Sequence, residues 1–275
     1  MKKLFNAIRH GDFEEVRRIL DSYPEAVNEA ATPPPKKDNG LSPLQVALKI
    51  GELDIAKHLI EQGADVNYME PEGEGYVWRM PVLQDAIRAV FFAYDGITAD
   101  IQAAEKATEI VRVLLERGAD PNVLSWKTVV KFGESSLRQD VDAFGACIGG
   151  AAQFIARDDD SHSELRDIAA EKLTYLLDLM IEYGADVDAW ADRAASCYHD
   201  AEETARRCYL DDFVPVPDKA VEVIYRGRSV IPVSDREIEL KKGDRRETHI
   251  VRGDIDRNAR MRAFMQEYFR KKGKF

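Results

Sequence analysis

Cysteine is scarce. Cys147, Cys197 and Cys208 are odd in number and show no CxxC spacing, which argues against a disulfide framework and against a thiolate metal knuckle. Long apolar runs are missing too: none reaches the ~20 residues needed to span a bilayer, so a membrane span is not expected. Met1-Lys2-Lys3-Leu4-Phe5 begins as a secretory leader would, but Asn6, Arg9, His10, Asp12 and Glu14 end the apolar region at once. A cytoplasmic protein is expected.

Groupings that carry chemistry are equally thin. His10, His58, His162, His199 and His249 are scattered. Residues 158–164, Asp-Asp-Asp-Ser-His-Ser-Glu, have ligand types but lack the glycine and spacing of a calcium loop. Residues 145–152, Gly-Ala-Cys-Ile-Gly-Gly-Ala-Ala, lack the Lys-Ser/Thr that completes a phosphate-binding loop, and read as small residues of a closely packed helix. Arg252-Gly253-Asp254 reads as a turn before a helix. No catalytic residue, metal site or cofactor is expected, and the chain does not read as an enzyme.

What the chain does have is a repeat. Gly63-Ala64-Asp65-Val66-Asn67, Gly118-Ala119-Asp120-Pro121-Asn122 and Gly184-Ala185-Asp186-Val187-Asp188 each follow an apolar stretch of helical period. Each glycine suits the left-handed residue after a helix end, and the Asp and Asn suit the turn beyond it. The cleanest copy runs from Asp38 to Asn67. Ser42 is a good N-cap and Pro43 a good first helical residue, and Gly51 punctuates the turn between two short helices.

That copy resembles the ankyrin repeat, whose pattern is Gly-x-Thr-Pro-Leu-His-x-Ala-Ala followed by Gly-Ala-Asp-Val-Asn. Ser42 stands for the Thr and Gln45 for the His. A degenerate copy over about residues 1–28 has the character of an N-terminal cap. The glycines of the three phrases lie 55 and 66 residues apart, against a usual period of about 33. The third and fourth repeats, 78–122 and 137–188, are therefore expanded. The extra residues are expected between paired helices, at 94–102 and 157–163, and in hairpins between repeats, at 68–80 and 123–136. The fold expected is mainly α: an ankyrin-like helical solenoid over 1–190, a capping helix over 191–210, and a 211–275 extension. In that extension β-hairpins are expected at about 221–233 and 236–251, followed by a basic amphipathic helix over 254–274.

The resemblance implies a protein-binding surface made of inner helices and hairpin tips. The 68–78 tip offers Tyr68, Glu72, Glu74, Tyr76, Trp78 and, just beyond it, Arg79. Aromatic and arginine side chains are the usual hot spots of interfaces. Trp78, Trp126 and Trp190 all fall at or just beyond a repeat end. The inner helices offer Gln45, Lys49, Gln84, Asp85 and Arg88.

Charge bears on the partner. The chain carries a formal net charge of −11. Residues from Val221 onward are net +6, which leaves −17 on residues 1–220. So acidic a body argues against nucleic acid on the repeats and suits a basic protein partner. The reading is a protein–protein interaction module using the concave face and hairpin tips of an acidic stack. Two alternatives stand beside it: a microbial immunity or inhibitor protein neutralising a basic toxin or enzyme, and a self-associating regulatory module with an effector C-terminus. An exposed strand edge in the extension could pair with a second copy, so a homo-oligomer is open.

Overall fold

Capping chemistry marks the ends of the cleanest repeat's first helix. In the computed structural model the described residues are 2–33, 38–71, 79–93, 100–132, 135–155, 163–190, 193, 236–242, 245–251 and 259–273. The cleanest repeat gives α3 (Pro43–Ile50) and α4 (Leu53–Glu61). A complete capping box opens α3: the Gln45 N–H donates to Ser42 Oγ and the Ser42 N–H to Gln45 Oε1, both at 3.1 Å. Gly51 closes it in the left-handed region at φ 81°. Before this pair stand α1 (Lys2–Arg9), α2 (Phe13–Ser22) and a 3-10 turn at Pro24–Asn28. After it come α5 (Val82–Phe92), α6 (Ile101–Glu116), α7 (Ala143–Ile155) and α8 (Ser163–Glu182).

The three Gly-Ala-Asp phrases fold alike. Gly63, Gly118 and Gly184 take φ of 88°, 89° and 87°. Each phrase closes its helix with the paired bonds of a Schellman turn. Gly63 N–H donates to Ile60 O at 3.1 Å and Ala64 N–H to Leu59 O at 3.0 Å, and the other two copies repeat this at 2.9–3.1 Å. Asp65 and Asp120 then accept the N–H of Asn67 and Asn122 at 2.9 and 2.8 Å.

Those asparagines tie one repeat to the next. Asn28 Nδ2 donates to Gly63 O at 3.1 Å, and its Oδ1 accepts the Asp65 N–H at 2.7 Å. Asn67 does the same to Gly118 O and Asp120 N–H, each at 2.9 Å. Asn122 donates to Gly184 O at 2.9 Å. One clamp thus recurs down the stack although the repeats differ in length.

The chain divides into two compact units, Met1–Lys127 with Val141–Gly150 and Tyr175–Ala185, and Thr128–Asp140 with Ala151–Thr174 and Asp186–Phe275. Within the first, α1, α3 and α5 form an inner row, each packed on its neighbour, and α2, α4 and α6 an outer row. The apolar stripes between the rows are sealed: Leu4, Ile8, Val16, Leu44, Ala47, Ile55, Leu59, Ala86, Ile87, Val111 and Leu114 are all buried. His58, on α4, packs its ring against Phe13 at 5.2 Å. Inner helix α7 comes so close to α5 that a Cβ on Gly150 would run into the Phe91 ring.

The expansion differs in part from expectation. Much of it lengthens helices rather than loops: α6 has 16 residues and α8 has 20, against 9 in α4. Longer apolar stripes bury more surface, so the chain continues each helix while the pattern allows. The hairpin expected at 123–136 also runs further, with β1 (Ser125–Phe132) paired to β2 (Ser135–Val141).

In the second unit β3 (Arg236–Lys242) and β4 (Arg245–Val251) pair antiparallel, with Arg236 opposite Val251 and Lys242 opposite Arg245. The terminal helix α9 (Ala259–Lys271) buries Met261, Met265, Tyr268 and Phe269. Trp190 stacks on Phe269 with ring centroids 6.1 Å apart. The apolar stripe of this basic helix is therefore docked, while Arg270 and Lys271 reach back to Glu267 at the surface. The expected 191–210 helix and 221–233 hairpin lie outside the described residues, apart from Arg193, which is helical.

Candidate functional site

The inner helices and the segments leading into them make the surface where function is sought. Three turns are stitched to it. Gly40 N–H donates to Ala31 O at 2.9 Å, Val82 N–H to Tyr68 O at 3.1 Å, and Ala143 N–H to Pro121 O at 3.1 Å. Tyr68, half-buried, donates its hydroxyl to Gly40 O at 2.6 Å and so links one hairpin to the preceding one.

Gln45 and Gln84 occupy the same place in successive inner helices, and the structure puts both beneath the surface. Each is at most 1% exposed. Gln45 Nε2 donates to Met80 O at 2.7 Å and to Asp85 Oδ2 at 3.2 Å. Gln84 Nε2 donates to Val141 O at 2.8 Å, and its Oε1 accepts from Ser125 Oγ at 2.6 Å. Expected as contact residues, these two amides instead hold the next repeat's hairpin in place. They are satisfied inside the chain, and a buried amide left bare costs about 1–3 kcal/mol.

A charged cluster surrounds Gln45. Lys49 Nζ lies 3.3 Å from Glu70 Oε1 and 3.7 Å from Asp85 Oδ2. Glu70 Oε2 also accepts the Met80 N–H at 2.9 Å, and its backbone carbonyl accepts from Arg79 Nε at 2.6 Å. Asp85 is the least comfortable member. Its Oδ1 is buried and meets no donor. Burial pushes its pKa up to about 7, against the opposing pull of the Lys49 charge. Arg88, on the same helix, lies over the Phe92 ring at 5.0 Å and points one N–H at Met80 Sδ. One repeat earlier, Arg9 grips Asp38 through Nε at 2.6 Å and lies over Phe5.

The family comparison falls on this same region. The sequence profile of the ankyrin repeat matches residues 39–70. An ankyrin repeat protein of fowlpox virus (strain NVSL) is 29% identical over 133 residues, which are 44% of this chain and 30% of the relative. The ankyrin repeat and SAM domain-containing protein 6 of Rattus norvegicus is 29% identical over 140 residues, 50% of this chain and 13% of the relative. The chain carries an ankyrin repeat at residues 39–70 and resembles ankyrin repeat proteins. The matches span under a third of either relative, so they speak for the repeats and not for whole-protein activity.

Ankyrin repeats are in general protein–protein interaction modules, and the family is typically non-enzymatic. Among the described residues no three His, Cys, Asp or Glu side chains gather as metal ligands, and no helix is long and apolar enough to cross a membrane. Of the residues expected at the ankyrin surface, Tyr68, Arg79 and Arg88 are half-buried and bonded within the chain, and Trp126 lies in β1. Glu72, Glu74, Tyr76 and Trp78 lie outside the described residues, as does the 158–162 part of the acidic run. Sequence reading did not single out Phe92, and it placed Asp38 and Glu70 only as members of hairpin tips. Overlaying the repeats would have drawn attention to their partners, because Arg9 and Lys49 both stand two residues before a turn glycine, Gly11 and Gly51.

Proposed function

We propose that this ankyrin stack binds a protein partner on the surface formed by its inner helices and hairpin segments. The supporting observation is an apolar pair at the ends of inner helices. Ile50, on α3, is 42% exposed and Phe92, on α5, is 52% exposed, although both belong to helices buried on their other sides. Solvated aromatic and branched side chains on a rigid row of helices offer anchors at small ordering cost. The net charge of −17 on residues 1–220 favours a partner of positive overall charge.

The test is capture from the native host with the wild-type chain beside an Ile50→Glu/Phe92→Glu variant. A stoichiometric protein held by the first and lost by the second supports the proposal. Equal retention moves the site off the inner helices, and no retained protein at all counts against binding. Two narrower forms divide on the same material. An immunity or inhibitor protein would give a tight one-to-one complex that survives deletion of residues 211–275. A self-associating regulatory module would lose function with that deletion.

A further inference from the structure

The overall charge of this chain hides a local inversion. Three inner helices carry a cation at one repeat position: Arg9 on α1, Lys49 on α3 and Arg88 on α5. Beneath Arg9 and beneath Lys49, each acid lies deeper than its cation. The Arg9 side chain is 19% exposed over Asp38 at 10%, and Lys49 is 32% exposed over Glu70 at 3% and Asp85 at 1%. Arg88 is half-buried on the helix that buries Asp85. In each pair, the cation is the more exposed member and the carboxylates lie below it.

Of the apolar anchors, Phe92 lies under the Arg88 guanidinium, and Ile50 ends α3 one residue after Lys49. The fourth inner helix breaks the row. Counting seven residues on from the N-cap reaches Lys49 from Ser42 and Arg88 from Pro81. The same count from Asp142, whose Oδ1 accepts the Gly145 N–H at 2.7 Å, reaches Gly149. Gly149 is exposed, and a Cβ there would meet nothing within 4 Å. The row of cations therefore ends in an open place where another backbone can come close.

We propose that this inner-helix floor takes an acidic segment of the protein partner, its carboxylates on Lys49 and Arg88 and its apolar side chains on Ile50 and Phe92. The inference rests on the protein-binding reading above and adds the chemistry of the bound segment. Body charge and floor charge act over different ranges. Beyond the Debye length of about 8 Å the net negative body is largely screened, so donors in contact decide what seats on the floor. Nucleic acid also presents anions, but a polymer with a charge on every residue would run against the acidic body, whereas a short segment need not. Asp85 contributes as well. It is faced by Lys49 and Gln45 from α3, Glu70 from the preceding hairpin and Arg88 on its own helix, and near neutral pH it is part-protonated, which leaves the floor more positive as pH falls.

The experiment selects short random peptides on the full chain at physiological salt, then measures the winners against Gly149→Lys and Gly149→Glu. Both variants place a side chain in open space on an exposed helical turn, so the fold is retained, which circular dichroism confirms. The expected result is enrichment of Asp and Glu around an apolar residue, with affinity raised about two- to fivefold by G149K and lowered similarly by G149E, the scale of one exposed ion pair. Peptides rich in Lys and Arg, with the opposite responses, overturn the inference but leave the protein-binding reading standing. Affinities indifferent to both variants also overturn it, because the segment then sits elsewhere. Displacement of the peptide by an oligothymidylate at the same salt assigns the floor to nucleic acid instead. No enriched peptide at all sinks the inference, and the protein-binding reading is then judged separately by the host capture.

Discussion

Replacing Asp85 by asparagine should change how stability depends on pH. Asp85 is buried, its Oδ1 meets no donor, and its pKa rises from an ordinary 3.8 to about 7. Below the unfolded-state value both folded and unfolded chains hold the proton, and the residue costs nothing. As pH rises the unfolded chain gives up its proton first, so the folded state is progressively penalised. The penalty is complete above about pH 7. A gap of about three pH units at about 1.4 kcal/mol each sets a ceiling of about 4 kcal/mol. A water reaching Oδ1 would cut this to about 2 kcal/mol.

Asparagine in that place keeps an acceptor for Gln45 and carries no charge, but its amide buries donors in place of Oδ1, at about 1–3 kcal/mol. That second cost does not vary with pH, so the diagnostic quantity is the slope. Urea unfolding of both chains should show the stability of wild type relative to Asp85→Asn falling by about 2–4 kcal/mol between about pH 4 and pH 8. Glu15, Glu109 and Glu267 have lowered pKa values from arginine partners on the surface, and they contribute equally to both chains. Parallel pH profiles would refute the reasoning, because Asp85 would then be ionised in its site at no cost.

Other tests follow from the same geometry. Asn67→Ala removes both bonds of one clamp, to Gly118 O and from Asp120 N–H; at a solvated position the loss should be about 1–2 kcal/mol by urea unfolding. Asn67→Asp should cost at least as much, since a carboxylate then faces the Gly118 carbonyl. Gly150→Ala drives a methyl into the Phe91 ring and should lower stability by about 1–3 kcal/mol, whereas Gly149→Ala enters open space and should raise it by up to about 1 kcal/mol. Trp190→Ala strips the ring that stacks on Phe269 and should loosen α9, read as faster amide exchange in residues 261–271 with α4 unchanged.

Turn glycines and N-caps were the parts of this fold most legible in the sequence. Gly63, Gly118 and Gly184 occur where the backbone must turn left-handed, and few other residues do that without strain. Ser42 and Pro43 announced α3 for equally local reasons. The hairpin of β3 and β4 could also be read, from Lys242-Gly243-Asp244-Arg245 between two strand-like arms. What could not be read was non-local. Gln45 and Gln84 are polar residues on amphipathic helices, and by type alone they belong at the surface. They are buried because carbonyls at Met80 and Val141, far along the chain, come to meet them. Helix length escaped for a related reason. Residues 101–116 carry a pattern that suits either a loop followed by a helix or one long helix, and packing against α5 selects the latter. The net charge pointed to an acidic binding surface, but it says nothing about depth, and depth is what puts Lys49 above Glu70.

The asparagine clamp has a direction. Asn28, Asn67 and Asn122 each use an amide N–H to reach the next glycine carbonyl, while the fourth phrase ends in Asp188, whose side chain carries no amide nitrogen. The clamp thus changes at the fourth phrase by a single side-chain nitrogen. Anyone grafting a further repeat onto residue 188 would have to restore that nitrogen first, and Asp188→Asn is the smallest edit that makes the array extensible.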